Sequence, residues 1–187
     1  MYGYIIGKIT KITPKYVICD NHGIGYLIIT PNPYSYKLNE EYKIFTYQPV
    51  REDLIELYGF MADEERELFL KLISVSGIGP KSALSILATG TVNEIVNAIE
   101  NRNDAYLKKF PGIGAKASQQ IILDLKGKLS FDNTENDVPM DNKLLDVEEA
   151  LVALGYNKKE VSKILPKLDK SLEVGALVKE ALKLLVK

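Results

Sequence analysis

The sequence predicts a multidomain α+β protein built as a five-stranded β-barrel, an all-α domain and a C-terminal three-helix bundle. Three observations carry this expectation. Short runs rich in Ile, Val, Tyr and Thr occupy residues 4 to 60, helical spacing takes over at Asp63, and a polar, acidic stretch precedes the final helices.

The barrel is assigned to residues 1–62. Its expected strands are Tyr4 to Ile12, Tyr16 to Asp20, Gly25 to Thr30, Tyr42 to Val50 and Leu54 to Phe60. They are separated by Pro14, Asn21-His22-Gly23, Pro31-Asn32-Pro33 and Arg51-Glu52-Asp53. A short helix over Tyr34 to Leu38, between the third and fourth strands, suits the OB-fold; an SH3-like barrel gives nearly the same pattern. Residues 63–130 read as helical, beginning with Glu67-Leu68-Phe69-Leu70-Lys71-Leu72-Ile73, whose apolar side chains recur three and four apart. Residues 131–140 have little to bury and read as a flexible acidic linker. In residues 141–187, Leu144 to Leu154 is a helix stopped by Gly155, Asn157 caps Lys158 to Leu165, and Leu172 to Val186 is the third helix.

Composition excludes several classes of chemistry. At 187 residues and 46% hydrophobic the chain can bury a core. It holds one cysteine, Cys19, and one histidine, His22, so an internal disulfide, a multi-cysteine metal site and Ser-His or Cys-His catalysis lack material. No metal and no cofactor is expected. There is no Gly-x-x-x-x-Gly-Lys-Ser/Thr phosphate loop, so ATP hydrolysis is not expected either. The start Met1-Tyr2-Gly3-Tyr4 lacks the pattern of a signal peptide and no run of apolar residues suits a membrane span, so the expected location is cytoplasmic, without membrane partners.

The net charge is −1, which leaves only a local surface for any polyanion. Residues 1–62 balance six basic against six acidic groups, and residues 129–187 carry nine against eleven. Residues 71–128 carry eight basic and four acidic groups, so the positive surplus lies in the middle segment.

That segment is one unit written twice. A shift of 35 residues aligns Leu72 with Leu107, Val75 with Phe110, Gly77-Ile78-Gly79 with Gly112-Ile113-Gly114, Lys81 with Lys116, and Ile86-Leu87 with Ile121-Ile122. Each copy reads as helix, apolar-x-Gly-Ile-Gly turn, helix: a helix-hairpin-helix element. Glycine at both turn positions is expected to permit a conformation costly for other residues and a close phosphate approach. The second helix then begins with unpaired N–H groups and its positive dipole end facing outward, and Lys81 and Lys116 stand in its first turn. Candidate DNA-binding residues are therefore Gly77, Ile78, Gly79 and Lys81 in the first hairpin and Gly112, Ile113, Gly114 and Lys116 in the second. Contacts of this kind hold phosphates without reading bases, so binding is expected to be sequence-independent and salt-sensitive.

A single Gly-Ile-Gly is more often a plain connector; two copies in matched context displace that reading. Gly23-Ile24-Gly25 is a control, because Tyr26-Leu27-Ile28-Ile29 follows it and reads as a strand, which makes that triplet a barrel turn or bulge. Cys19 reads as core and His22 as a turn residue. The pairs Glu64-Glu65 and Glu148-Glu149 read as first-turn helix positions favoured by the macrodipole. Glu52-Asp53, taken alone, read as an ordinary solvated turn. Two other function classes stay open on the residues: a hairpin-bearing glycosylase or lyase using Asp124, and a protein-protein adaptor without DNA.

Val50-Arg51-Glu52-Asp53 with Leu57-Tyr58-Gly59-Phe60, then Gly77-Ile78-Gly79-Pro80-Lys81, Phe110-Pro111-Gly112-Ile113-Gly114 and Ala150-Leu151-Val152-Ala153-Leu154-Gly155-Tyr156 resemble, in order and spacing over essentially the whole chain, the RuvA family of Holliday-junction-binding subunits. The resemblance implies a barrel that builds a homotetramer, paired hairpins that hold four DNA arms, and a tethered C-terminal domain that contacts the RuvB ATPase. The RuvC resolvase joins the implied full complex. It implies a protein that is not an enzyme by itself, serving branch migration in recombination and repair, with one or two tetramers per junction left open. Glu52 and Asp53 fall on the family's acidic pin, where carboxylates from four subunits would face the crossover phosphates. Leu154, Gly155 and Tyr156 are the candidate motor contacts. Ala115 and Gln120 stand where the family often carries basic residues, which implies a weaker second hairpin unless Lys108, Lys109 and Lys126 compensate.

Overall fold

The computed structural model describes residues 1–51, 54–129, 140–169 and 172–185. The chain forms two compact units, Met1–Phe131 and Asp132–Lys187.

In the first unit, β1 (Tyr4–Ile12), β2 (Tyr16–Asn21), β3 (Ile24–Ile29), β4 (Glu41–Tyr47) and β7 (Tyr58–Phe60) close a five-stranded barrel in the order β1-β2-β3-β7-β4. Alternation along the strands sends Ile5 and Ile9, Val17 and Cys19, Ile28, and Ile44 into one core. The β2–β3 turn has His22 at φ +52° and Gly23 at φ +87°, the geometry of a tight two-residue hairpin, so the control triplet is a barrel turn. Closure is made by β7, which pairs antiparallel with β4 and parallel with β3. Gly59 is obligatory there, because a Cβ would overlap Ile28 Cγ2 and stand 2.6 Å from Ile44 Cγ2.

Two strands are shorter than the sequence predicts, and the second of them, Leu54 to Phe60, is divided into Leu54–Ile55 and Tyr58–Phe60. The run expected from Tyr42 to Val50 ends at Tyr47, and Val50–Arg51 (β5) leaves the barrel to pair with Leu54–Ile55 (β6) as a separate two-stranded ribbon. Pro49, which cannot donate to a ladder, stands at the break. The expected helix over Tyr34 to Leu38 is a 3-10 turn at Pro33–Ser35.

The change from strand to helix falls inside this unit. Phe69 on α1 (Asp63–Ser74) packs its ring 4.9 Å from Phe60 and 5.3 Å from Tyr58 of the closing strand, so barrel and helices share a core across residue 62. The helices are α1, α2 (Pro80–Thr89), α3 (Val92–Glu100), α4 (Asp104–Leu107) and α5 (Ala115–Leu125). As the sequence predicts, Glu64 and Glu65 lie in the first turn of α1.

The second unit holds α6 (Met140–Ala153), α7 (Lys158–Ile164) and α8 (Val174–Leu185) around Val147, Leu151, Val161, Leu177 and Ala181. Helix α6 begins at Met140, the last residue assigned to the linker; residues 131–139 lie outside the described residues. Glu148 and Glu149, expected in its first turn, sit in its interior, past the first turn even of a helix counted from Leu144. Its end is a glycine cap: Gly155 has φ +96°, and the N–H groups of Gly155 and Tyr156 donate back to the carbonyls of Val152 (2.9 Å) and Leu151 (3.1 Å). Asn157 caps α7 by accepting from Lys159 N at 2.9 Å. Among the described residues no helix is long and apolar enough to cross a membrane.

Candidate nucleic-acid interface

The 35-residue repeat is a repeat of hydrogen bonds. Val75 N donates to Leu72 O at 3.1 Å and Ile78 N to Val75 O at 3.0 Å; in the second copy Phe110 N donates to Leu107 O at 3.2 Å and Ile113 N to Phe110 O at 3.1 Å. The second helices open in the same way, with Ala83 N to Gly79 O at 3.1 Å and Ser118 N to Gly114 O at 2.9 Å. The copies differ on the incoming side, where α1 has twelve residues and α4 only four.

Within each turn the three residues have separate tasks. The first glycine is left-handed, with Gly77 at φ +85° and Gly112 at φ +81°, a region that penalises side-chain-bearing residues. The isoleucine is an anchor: Ile78 and Ile113 are each 5% exposed and belong to the helical core. In both candidate hairpins this side chain packs into the core, which holds the turn's shape. The second glycine is different again. Gly79 (φ −95°) and Gly114 (φ −88°) have ordinary extended backbones, and a Cβ on either would meet nothing within 4 Å. The turn conformation therefore requires glycine at the first position only. At the second, neither strain nor internal crowding explains it, and the open space lies outside the protein.

The helix ends behind these glycines are bare. Helix α3 starts with a capping box in which Thr91 and Glu94 satisfy each other's backbone, and α4 and α7 are capped by Asn103 and Asn157. Helix α1 lacks a side-chain cap but carries Asp63, Glu64 and Glu65 in its first turn. Helices α2 and α5 have neither a side-chain cap nor a first-turn acid. The N–H groups of Lys81 and Ser82, and of Lys116 and Ala117, precede the helical ladder, so two positive helix ends stand uncompensated. The exposed Lys81 and Lys116 lie beside them, and neither joins an ion pair among the described residues. The two ends are neighbours: a Cβ on Gly112 would lie 3.7 Å from Ser82 Oγ in the first turn of α2.

Lys108 forms an ion pair with Asp104, whose carboxyl is held below its usual range first by that lysine's hydrogen bond, and Lys109 lies over the Tyr106 ring at 5.8 Å. Gln120 Nε2 donates to Asp124 Oδ2 at 2.9 Å on the same helix, so Asp124 is a tied helix-surface carboxylate. Cys19 is fully buried, and its thiol is pushed up first by burial, then by Asp20 and Glu41. Glu52 and Asp53 lie outside the described residues. Leu154 is 61% exposed beside Gly155, while Tyr156 packs partly against the bundle core.

One feature was not legible in the sequence. A groove of about 1080 Å³ runs between barrel and hairpin, lined by Lys15, Tyr16 and Thr30 on one side and Gly79, Lys81 and Ser82 on the other. No local pattern links residue 15 to residue 81, since only the packing of α1 on the barrel brings them together.

Comparison with known proteins matches three stretches of the chain. Residues 1–59 match the RuvA N terminal domain, residues 69–127 the SAM-like helix-hairpin-helix tandem, and residues 142–186 the RuvA C-terminal domain. The chain is 52% identical over 187 residues to the Holliday junction branch migration complex subunit RuvA of Acholeplasma laidlawii, covering all of both chains. It is 49% identical over 201 residues to the protein of that name from Listeria monocytogenes and 50% identical over 195 residues to that from Oenococcus oeni, again end to end. With matched hairpins, a closed five-stranded barrel and full-length identity of this order, the chain belongs to the RuvA family.

Proposed function

We propose that this chain is the non-catalytic, junction-binding subunit of a Holliday junction branch-migration complex. The observation that carries the reading is the pair of adjacent, uncapped, acid-free helix ends, each behind a glycine that the fold itself does not require. Such an end offers backbone N–H donors and positive dipole charge to a phosphate, and a neighbouring lysine adds a mobile cation. Nothing in this arrangement reads a base, so grip is sequence-independent and salt-dependent.

In this reading residues 1–62 form the self-assembling barrel, residues 63–130 hold DNA, and residues 131–140 tether residues 141–187. Four copies arranged about a junction bring Glu52 and Asp53 together at its centre. There, like charges repel the crossover phosphates and keep the strands apart. The bundle, through Leu154, Gly155 and Tyr156, meets the RuvB ATPase, and the RuvC resolvase joins the same assembly in the cytoplasm. The full-length relatives, each named as a branch migration complex subunit, support this assignment.

The test uses Gly79→Asp together with Gly114→Asp. Aspartate is a better N-cap than glycine, so folding stability is expected to hold or rise, while the added carboxylates occupy and repel the phosphate sites. Loss of four-way-junction binding in a gel-shift assay, with an unchanged or raised melting temperature, is the expected result. Undiminished affinity would overturn the reading, as would equal affinity of the unaltered protein for a junction and for linear duplex of the same sequence.

A further inference from the structure

We propose that the barrel contributes its own DNA contact: Lys15, on the β1–β2 turn, binds the phosphodiester backbone of the arm held by the first hairpin, across the groove that separates them. This rests on the hairpins being DNA grips and extends the grip to a part of the chain whose overall charge gives no sign of it.

The groove has one cation on each wall, Lys15 from the barrel and Lys81 from α2, and neither joins an ion pair among the described residues. Glu56, whose carboxylate accepts a hydrogen bond from Tyr58 Oη, is the acid in its lining. Two lysines against that carboxylate leave the lining with a positive balance, and the bare N-terminus of α2 opens into it through Gly79, Lys81 and Ser82. The position of Lys15 is set. Thr13 Oγ1 accepts from the N–H groups of Lys15 (3.4 Å) and Tyr16 (3.1 Å) and donates to Tyr16 O at 2.8 Å, which fixes the turn. The lining also includes apolar Leu27 and Leu84, suited to deoxyribose between successive phosphates. A volume of about 1080 Å³ far exceeds one anion and suits a length of polymer backbone. Positive walls continuous with a phosphate-binding helix end select the anionic backbone over an apolar segment of another protein.

The experiment measures junction affinity of the full chain against salt concentration for the unaltered protein and for Lys15→Gln, Lys15→Arg and Lys81→Gln. Each phosphate no longer neutralised lowers the slope of log K against log salt by about 0.9. Lys15→Gln is expected to lower the slope by that amount per arm bound and to weaken binding at low salt, with Lys15→Arg close to the unaltered protein. Lys15 is an exposed turn residue, so melting temperatures are expected to match. An unchanged slope for Lys15→Gln beside a lowered one for Lys81→Gln would overturn this proposal and leave the hairpin reading intact. Unchanged slopes for both would overturn both. A changed oligomeric state in light scattering, with the slope unchanged, would assign the groove to a second copy of the chain and also overturn the proposal.

Discussion

Gly77 and Gly112, 35 residues apart in sequence, hold the same left-handed backbone, φ +85° and +81°, at the same point of two turns with matching hydrogen bonds. The next glycine in each turn, Gly79 or Gly114, has an unstrained backbone and free space around it. Substitutions therefore separate the two roles. Alanine at position 77 or 112 is expected to cost about 1 kcal/mol of stability through strain. Serine at position 79 or 114 supplies a missing cap and is expected to leave stability equal or higher while weakening DNA binding. Urea denaturation and junction gel shifts on the four variants check this; equal destabilisation at all four positions would remove the distinction.

Burial of Ile78 and Ile113 makes a second expectation. Alanine at either position empties part of a packed core and is expected to cost on the order of 2–4 kcal/mol, whereas valine is expected to cost about 1 kcal/mol. Because both side chains belong to the core and valine keeps most of their packing, the valine variants are expected to bind junctions as the unaltered protein does. A large affinity loss in a stably folded valine variant would place these side chains in the interface after all.

The repeat was legible in the sequence because helix-hairpin-helix packing is local: Leu72, Val75, Ile78 and Ile86 are all core, and their spacing is the spacing of one short supersecondary unit. The division of labour between the two glycines was not legible, since the letter is the same while one meets a positive φ and the other an outward-facing gap. Strand ends blurred for another reason. β-forming residues stand on both sides of Pro49 in the run from Tyr42 to Val50, and the pairing of Val50 with Ile55 shows that beyond that proline the chain has left the barrel. Helix α6 hid its start because the three residues before Leu144, Asp141-Asn142-Lys143, are polar and break the apolar pattern. Lys15 was invisible for the most general reason, that its neighbourhood is made by tertiary packing.

At the barrel seam, Gly59→Ala is expected to be among the most damaging single-atom additions. The new Cβ would overlap the Ile28 Cγ2 methyl and lie 2.6 Å from that of Ile44, both in fully buried side chains with no room to retreat. Overpacking of this kind costs about 1–3 kcal/mol or more, and it acts where β3, β4 and β7 close the barrel. A lowered urea midpoint checks it; unaltered stability would mean that the seam relaxes.

Tyr36, 2% exposed in the barrel core, gives a pH-dependent expectation. Burial, first of all, pushes its phenol up from 10.0 to about 12, and the hydroxyl has no hydrogen-bond partner among the described residues. Between those values the folded protein holds a proton that the unfolded chain has released, so stability falls with rising pH across that window and is fully present below it. The full effect is on the order of 3 kcal/mol. Stability measured from pH 9 to 12 is expected to decline more steeply for the unaltered protein than for Tyr36→Phe; parallel curves would show that another group governs the alkaline limb.

The second hairpin has a bare helix end that Ala115 opens, with Gln120 turned to Asp124 on the helix behind it. Lysine at position 115 adds positive charge at a positive helix end, which is expected to lower stability by roughly 0.3–1 kcal/mol. If the helix end receives a phosphate as proposed, the same charge stands beside it, so junction affinity is expected to rise and the salt slope to steepen by about 0.9 for each further phosphate neutralised. Opposite signs for stability and affinity are the signature of a helix end kept uncompensated for a ligand. Ala115→Lys with lowered stability and unchanged affinity and slope would mean that no phosphate approaches α5, and would leave the first hairpin as the only grip.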